Sequence, residues 1–516
     1  MSKMKKILAV LLAAIMTLAM TVTAFATTDT DDKQVKVIGV ENETGVTVTA
    51  YQIIKYNEAG YYEPVIADTI TKDTNGNLTP TAADVQKLAK RIDELIPSKS
   101  LVKQTDGTYV SDTTDNLSAG TWMIIITGSK NYLYNPAIVS VQQGTDGLEY
   151  GELNLNTDSW GTDVYAKKSQ PTIKKEAITP NVQGVQYGDI IQFKITADIP
   201  SYTENIDLQK YVITDTLTGL ALVVDDAHPF SAKLEGEDTS VPVADGTIAN
   251  GATEFKIDLA STEEGKKFVK ANTNKKIVIT YYAKVTTDAK ITVDEANNTA
   301  KLEYSTNDDS QEKTDITRHY TFGIDTTFSG KTSEKTNEFI KINDKGDVKF
   351  SEGQVVFDQG VTPLSGAEFK LYTSNPDKNP NAIVIGTYTT DNDGYLEING
   401  LDSDVTYYLK ETKAPTGYTI NPAIIPVKID ATFDIDGTLN SYTVKIGDHE
   451  TRYTYNAETK ETTKPEVQNP YGFKNSKLVN LPSTGGIGTT IFTVAGSLIM
   501  IFAVALLFAS RRRISK

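Results

Sequence analysis

The sequence predicts a mainly β protein: tandem β-sandwich domains, preceded by an N-terminal signal helix and followed by a C-terminal transmembrane helix. Three observations carry that expectation. Apolar residues alternate along Ile191-Phe193-Ile195-Ala197, Val46-Val48 and Tyr442-Val444-Ile446, the two-residue period of a strand with one buried face. Turn dipeptides, Asn75-Gly76, Asp106-Gly107 and Asp393-Gly394, punctuate these runs as hairpin loops do. Long apolar stretches stand at the two ends of the chain.

At the N-terminus, Lys3, Lys5 and Lys6 precede the apolar stretch Ile7 to Met20, and Ala24-Phe25-Ala26 offers a small-x-small cleavage site. This is the layout of a secretory signal peptide, residues 1–26, cut after Ala26. One helix is expected inside the body, Thr81 to Leu95. Thr81 and Asp84 form a variant of the capping box, and Val85, Leu88, Ile92 and Leu95 make one apolar stripe.

Composition sets the domain boundaries. A first domain spans 27–165. The Lys- and Pro-containing joint KKSQP at 167–171 opens a second, 166–318, which closes after the polar stretch Ser305 to Asp315. A third spans 319–478, and a tail, 479–516, completes the chain. The second and third domains share a plan: a lysine in an early strand and an asparagine in a late one. These are Lys174-Lys175 and Asn297-Asn298 in the second, Lys341 in FIKIN and Asn475 in FKNSK in the third.

The tail has three parts: LPSTGG at 481–486, an uncharged apolar run over 487–509, and Arg511, Arg512 and Arg513. A helix needs about twenty apolar residues to cross a bilayer core, and the arginines fix the C-terminus on the cytoplasmic side.

The 516 residues contain no cysteine, three histidines and a formal charge of −16. An exported chain without cysteine cannot be stapled by disulfides. The acidic balance argues against nucleic acid, which needs a basic footprint. His228, His319 and His449 are far apart, so metal clusters and His-based nucleophile systems lack raw material. No metal, no cofactor and no enzyme activity are expected. DNDGYLEINGLD at 391–402 lacks the glycine and glutamate that a calcium loop requires at its sixth and twelfth positions, and its Asp-Gly suits a hairpin turn. Asn42-Glu43-Thr44 and Asn116-Leu117-Ser118 match glycosylation sequons, which carry little weight.

The tail resembles the cell-wall sorting signal of Gram-positive surface proteins. The resemblance implies a sortase motif of Leu481, Pro482, Ser483, Thr484 and Gly485. Sortase would cut after Thr484 and join that residue's carboxyl to an amine. YLKETKAPTGY at 408–418 resembles the E-box of backbone pilins. PLSGAEFKLY at 363–372 and DGYLEINGL at 393–401 are similar to neighbouring strands of a Cna protein B-type, immunoglobulin-like sandwich. VTVTAYQIIKY at 46–56, LSAGTWMIIIT at 117–127 and YNPAIVSV at 134–141 resemble the N-terminal pilin domain. VQYGDIIQFKITADIPSY at 185–202 and YVITDTLTGLAL at 211–222 resemble the middle one. On these segments the chain is identified as a member of the isopeptide-forming, LPxTG-anchored major fimbrial subunits.

That resemblance implies two intramolecular Lys–Asn bonds, each promoted by a buried acid. Position by position, Lys341 pairs with Asn475 under Glu411, and Lys175 with Asn298 under Asp215. Ile173 and Lys175 share a strand face, which favours Lys175 over Lys174; Asn297 adjoins Asn298. Such a bond needs a neutral lysine, hence burial. It also implies a polymerising lysine in WGTDVYAKKS at 160–169. Lys167 fits the family's YPKN-like motif and Lys168 is the second choice, although Ala166 replaces proline and Lys168 replaces asparagine. Expected partners are a pilin-class sortase, the housekeeping sortase, further copies of the chain joined head to tail, minor pilins and a peptidoglycan precursor. The host or matrix ligand is unknown. The expected location is the cell wall, reached through a membrane-inserted precursor. The competing expectation is a monomeric wall-anchored adhesin.

Overall fold

The computed structural model describes residues 34–478 and 486–514, apart from 113–114, 145–146, 151, 155–158, 162, 204–205, 245, 292–295, 307–309, 328–334, 352–353, 460 and 464–469. The signal peptide, its Ala26 cleavage point and the sortase motif 481–485 lie outside the described residues. The chain divides between Thr321 and Phe322 into two compact units.

The first part of unit one is built around strands Thr47–Tyr56 and Gly120–Thr127. The second of these, GTWMIIIT, is apolar on both faces because both faces are covered. Trp122, Ile124 and Ile126 pack with Val48, Ala50 and Val139. Met123 and Ile125 pack with Val85, Leu88 and Leu95. The helix that covers the second face spans Ala82–Ala89 and carries the Thr81/Asp84 capping box. It is shorter than expected. Its continuation, Ile92–Glu94, is a 3-10 turn, since Pro97 disfavours helical geometry at Ile96 and the last turn tightens instead. Leu95 still reaches the core. Strands Lys36–Ile38 and Asp163–Tyr165 lie side by side in parallel.

The second part of unit one is a two-sheet sandwich. One sheet runs Ile173–Ala177, Ile190–Asp198, Lys276–Val285 and Leu220–Val223, with Ser231–Leu234 also on the third strand. The other runs Glu254–Asp258, Tyr211–Leu217, Ala296–Ser305 and Ser310–His319. Ile191, Phe193, Ile195 and Ala197 all face the shared core, as the alternation predicts. The polar stretch Ser305 to Asp315 lies largely in strand: Ser310–His319 pairs with Ala296–Ser305 at the edge of this sheet. A helix that the sequence analysis did not anticipate, Glu263–Ala271, is capped by Thr262 and buries Val269.

Unit two holds a seven-stranded antiparallel sheet in the order Val384–Thr389, Glu368–Tyr372, Thr406–Lys413, Ile424–Phe433, Leu439–Ile446, His449–Asn456, Glu461–Thr463. Strands Phe339–Asn343 and Tyr471–Asn475, from opposite ends of the unit's sequence, pair in parallel. The chain between Asn343 and Pro363 forms a hairpin, Val348–Ser351 with Gln354–Phe357, and Val348 packs on Ile340 and Ile342. The last helix, Gly486–Ile514, contains a stretch, Ile491–Arg511, long and apolar enough to cross a membrane.

Candidate cross-linking sites and anchor

Among the described residues, the buried lysines are Lys175 and Lys341. An unpaired buried ammonium is costly, so such lysines demand an explanation.

Lys175 lies on an edge strand whose alternation turns Ile173 and Lys175 inward, while Lys174 points out to Glu176 at 2.7 Å. Inside the sandwich its ammonium meets the Asp215 carboxylate and donates to the Tyr281 hydroxyl at 2.6 Å. Tyr281 donates to the other Asp215 oxygen and accepts from Asn298 Nδ2 at 2.7 Å. Lys175 and Tyr281 come from one sheet, Asp215 and Asn298 from adjacent strands of the other, in register at Asp215–Ala300 and Leu217–Asn298. The rings of Phe193 and Tyr281 lie 5.4 and 5.2 Å from the lysine nitrogen. Burial pulls the Lys175 amine down to about 8 against the opposing pull of Asp215. Burial also raises the Asp215 carboxyl, with Lys175 and Tyr281 working the other way. Asn298 is fully buried, and its Oδ1 has no hydrogen-bond partner among the described residues. Asn297 is only partly buried.

Tyr281 was not singled out from the sequence. The signal was present: alternation in KIVITYYAKV puts it on the inward face with Ile277, Ile279 and Ala283. A tyrosine there reads as core until its hydroxyl is seen to bridge acid, amine and amide.

In unit two the structure brings Lys341, Glu411 and Asn475 together. Lys341 Nζ donates to Asn475 Oδ1 at 2.5 Å and to the Phe473 carbonyl at 3.1 Å. Glu411 lies 3.6 Å from the amine and accepts from Asn475 Nδ2 at 2.8 and 3.1 Å. The backbone N–H of Asn421 donates to Glu411 Oε2 at 2.7 Å. The Phe473 ring lies 4.6 Å from the lysine nitrogen. Burial brings the Lys341 amine down to about 8, with Glu411 opposing. Every residue of the Lys341 strand is buried, so the lysine is not the exposed edge residue its charge alone would suggest.

Each cluster holds an amine, an amide and an acid in apolar walls. A proton passed from lysine to carboxylate would leave a neutral nucleophile and a neutral acid. Attack of Nζ on the asparagine Cγ, with the acid's proton going to the departing Nδ2 and the amine's second proton returning to the carboxylate, would form one amide and release one ammonia. In unit two Glu411 sits on the leaving nitrogen itself; in unit one Tyr281 stands between acid and amide.

Lys167 and Lys168 lie between strands Asp163–Tyr165 and Leu133–Tyr134, the latter pairing with Lys168–Ser169. Lys168 forms an ion pair with Glu41 and sits 5.1 Å over the Tyr132 ring. Lys167 is half-buried and lines a shallow cleft with Thr81, Val85, Gln86, Pro136 and Ile138. Its amine makes no ion pair among the described residues, and burial lowers its affinity for a proton. No group of His, Cys, Asp or Glu side chains suited to a metal ion occurs among the described residues.

Residues 356–448 match the SpaA prealbumin-like fold domain, and residues 474–516 match the LPXTG cell wall anchor motif. The trypsin-resistant surface T6 protein of Streptococcus pyogenes serotype M6 is 24% identical over 94% of this chain and 95% of its own length. The solved T6 backbone pilin of serotype M6 aligns with a TM-score of 0.54 at 19% identity, over 88% of this chain and 100% of that one. The full-length major pilin SpaD of Corynebacterium diphtheriae aligns over 88% and 100%, at 20% identity and a TM-score of 0.41. The chain thus carries a SpaA-type prealbumin-like domain and an LPXTG cell-wall anchor motif, and is homologous along nearly its whole length to the streptococcal T6 surface protein.

Proposed function

We propose that this chain is the backbone subunit of a covalent pilus, assembled by sortase and fixed to the cell wall. The observation that carries this reading is the likeness to a surface pilin over nearly the full length, in a chain that ends in an LPXTG anchor. A pilin-class sortase opens the Thr484–Gly485 bond and holds Thr484 as an acyl-enzyme. Lys167 of the next subunit attacks the acyl carbon, releases the enzyme and leaves an isopeptide bond. One donor and one acceptor per chain make a head-to-tail contact that does not close, hence a filament. The housekeeping sortase passes the last subunit to a peptidoglycan precursor, and minor pilins join the same chemistry. Lys341–Asn475 and Lys175–Asn298 become internal amide bonds, in place of disulfides. The domain plan is 27–165, 166–318 and 319–478. The chain is a structural protein rather than an enzyme.

Support for Lys167 over Lys168 comes from its amine, which makes no ion pair among the described residues; Lys168 is engaged by Glu41. The monomeric adhesin draws on Ala166 and Lys168, which depart from the family motif. Boiled wall extracts run on a denaturing gel separate the two. A ladder of high-mass species that collapses in Lys167→Ala supports the filament; a single wild-type band overturns it. A ladder that persists in Lys167→Ala and collapses in Lys168→Ala moves the acceptor by one residue. For the internal bonds, the intact mass of the full chain in detergent should fall below the calculated mass by one ammonia per bond. Glu411→Ala should restore one ammonia.

A further inference from the structure

Unit two buries a pair of carboxyl groups that the cross-linking chemistry does not use. Asp325 is fully buried and Glu338 is 3% exposed. Asp325 Oδ1 accepts the backbone N–H groups of Glu338 and Phe339 at 2.8 and 2.9 Å, and Oδ2 that of Leu396 at 2.8 Å. Glu338 Oε2 accepts the Asp325 N–H at 2.8 Å and the Thr336 hydroxyl at 2.6 Å. Its Oε1 lies 2.5 Å from the Tyr453 hydroxyl oxygen, which also lies 3.0 Å from the Thr336 carbonyl. The cation nearest in effect, Lys335, is held by Asp391 at 3.0 Å and Glu397 at 3.5 Å.

Tyr453 donates to Glu338 Oε1, with the Thr336 carbonyl as a second, longer acceptor. Two carboxyl groups in one dry site titrate as a pair and hold one proton between them. Burial raises both, and repulsion from Glu338 adds to the rise at Asp325.

The pair sits where the cross-linking strand begins. Glu338 and Phe339, whose N–H groups Asp325 holds, lead directly into Lys341. The Glu338 carbonyl accepts the N–H of Tyr471 at 2.8 Å, where the Asn475 strand begins. That contact starts the register Phe339–Tyr471, Lys341–Phe473, Asn343–Asn475. A one-residue slip would turn Lys341 to the opposite face. We propose that Asp325 and Glu338 form a register clamp that positions Lys341 against Asn475 and Glu411 before the amide bond forms. The clamp rests on the cross-link reading above. Asp325 and Glu338 are positioning residues, since neither touches the reacting atoms.

The full chain made by cell-free synthesis tests this, with two branched peptides followed over time by mass spectrometry: Lys341–Asn475 and, as internal control, Lys175–Asn298. Asp325→Ala and Glu338→Ala should slow the first branch by ~100-fold, the effect of about 1 Å of misplacement, and leave the second at the wild-type rate. Glu338→Gln, which keeps an acceptor for the Asp325 N–H and the Thr336 hydroxyl, should slow the first branch less than Glu338→Ala does. Val444→Ala, a cavity in the seven-stranded sheet, should lower thermal stability without slowing either branch. If Asp325→Ala fails to fold in unit two, Tyr453→Phe decides, with a several-fold slowing expected. Wild-type rates in Asp325→Ala, Glu338→Ala and Tyr453→Phe overturn the clamp. A wild-type chain that never forms the first branch overturns the cross-link reading instead.

Discussion

Burial disfavours the charged form of Lys341, and the proposed amide bond would remove that charge. In an Asn475→Ala chain the amine stays free, with a folded pKa near 8 against an ordinary value of 10.5. The unfolded chain then binds more protons between those two values, so stability rises as pH climbs from about 8 to 10.5 and is lowest below 8. The upper limit of that rise is ~3.5 kcal/mol, from ~1.4 kcal/mol per pH unit. Thermal melts of Asn475→Ala and wild type across that range check this: the variant should gain on wild type with pH, since the cross-linked lysine no longer titrates. Tyr281 makes a second residue-scale prediction. Tyr281→Phe keeps the ring that packs on Phe193 at 5.5 Å and removes only the bridging hydroxyl. The Lys175–Asn298 branch should form ~10²–10⁴-fold more slowly, the usual scale for a lost proton-transfer partner, and the fold should survive. Branch formation at the wild-type rate would make Tyr281 a packing residue.

Elements deliver these residues, and the turn at Asp393-Gly394 shows how closely. Gly394 has φ +81°, and its carbonyl accepts the N–H of Lys341 at 2.8 Å. A Cβ placed there would stand 2.6 Å from the Lys341 carbonyl oxygen. Gly394→Ala should therefore cost ~1–3 kcal/mol and lower the yield of the Lys341–Asn475 branch, measured by peptide mapping, while Gly76→Ala meets nothing within 4 Å and leaves both branches intact. This turn was legible in the sequence from its Asp-Gly pair, as were the Ile191–Ala197 alternation and the Thr81 cap. Those signals are local. The helix end at Ala89 was not legible, because tightening ahead of Pro97 depends on where Leu95 must reach. Glu263–Ala271 escaped notice because Val269 alone gives it a fully buried apolar anchor. At the candidate cross-linking sites, the resemblance to backbone pilins pointed to lysine, acid and asparagine, and strand faces favoured Lys175 over Lys174. Tyr281, Asp325, Glu338 and Tyr453 were not found, since each gains its role from a partner distant in sequence.

At the scale of the whole molecule, the order of residues along the chain decides which parts would carry tension in the proposed filament. A load entering at Lys167 and leaving at Thr484 would travel through residues 168–483, and everything before Lys167 would hang outside that path. Both buried lysines lie within the path; the exposed or half-buried lysines of residues 34–168 offer no such pair. The proposed Lys341–Asn475 bond would close a loop of 134 residues, and constraining a loop that long in the unfolded state stabilises by ~5 kcal/mol, taking the disulfide relation as a guide. Residues 34–168 are held by their apolar cores. Differential scanning calorimetry of the full chain in detergent should show a lower transition from residues 34–168 and a higher one from the cross-linked remainder. Trypsin between the two transitions should trim the first part and leave a resistant core. The Lys175→Ala, Lys341→Ala double variant should lose the upper transition and the resistant core together. If its two transitions stay where the wild type has them, the internal bonds do not set the stability of the load-bearing part.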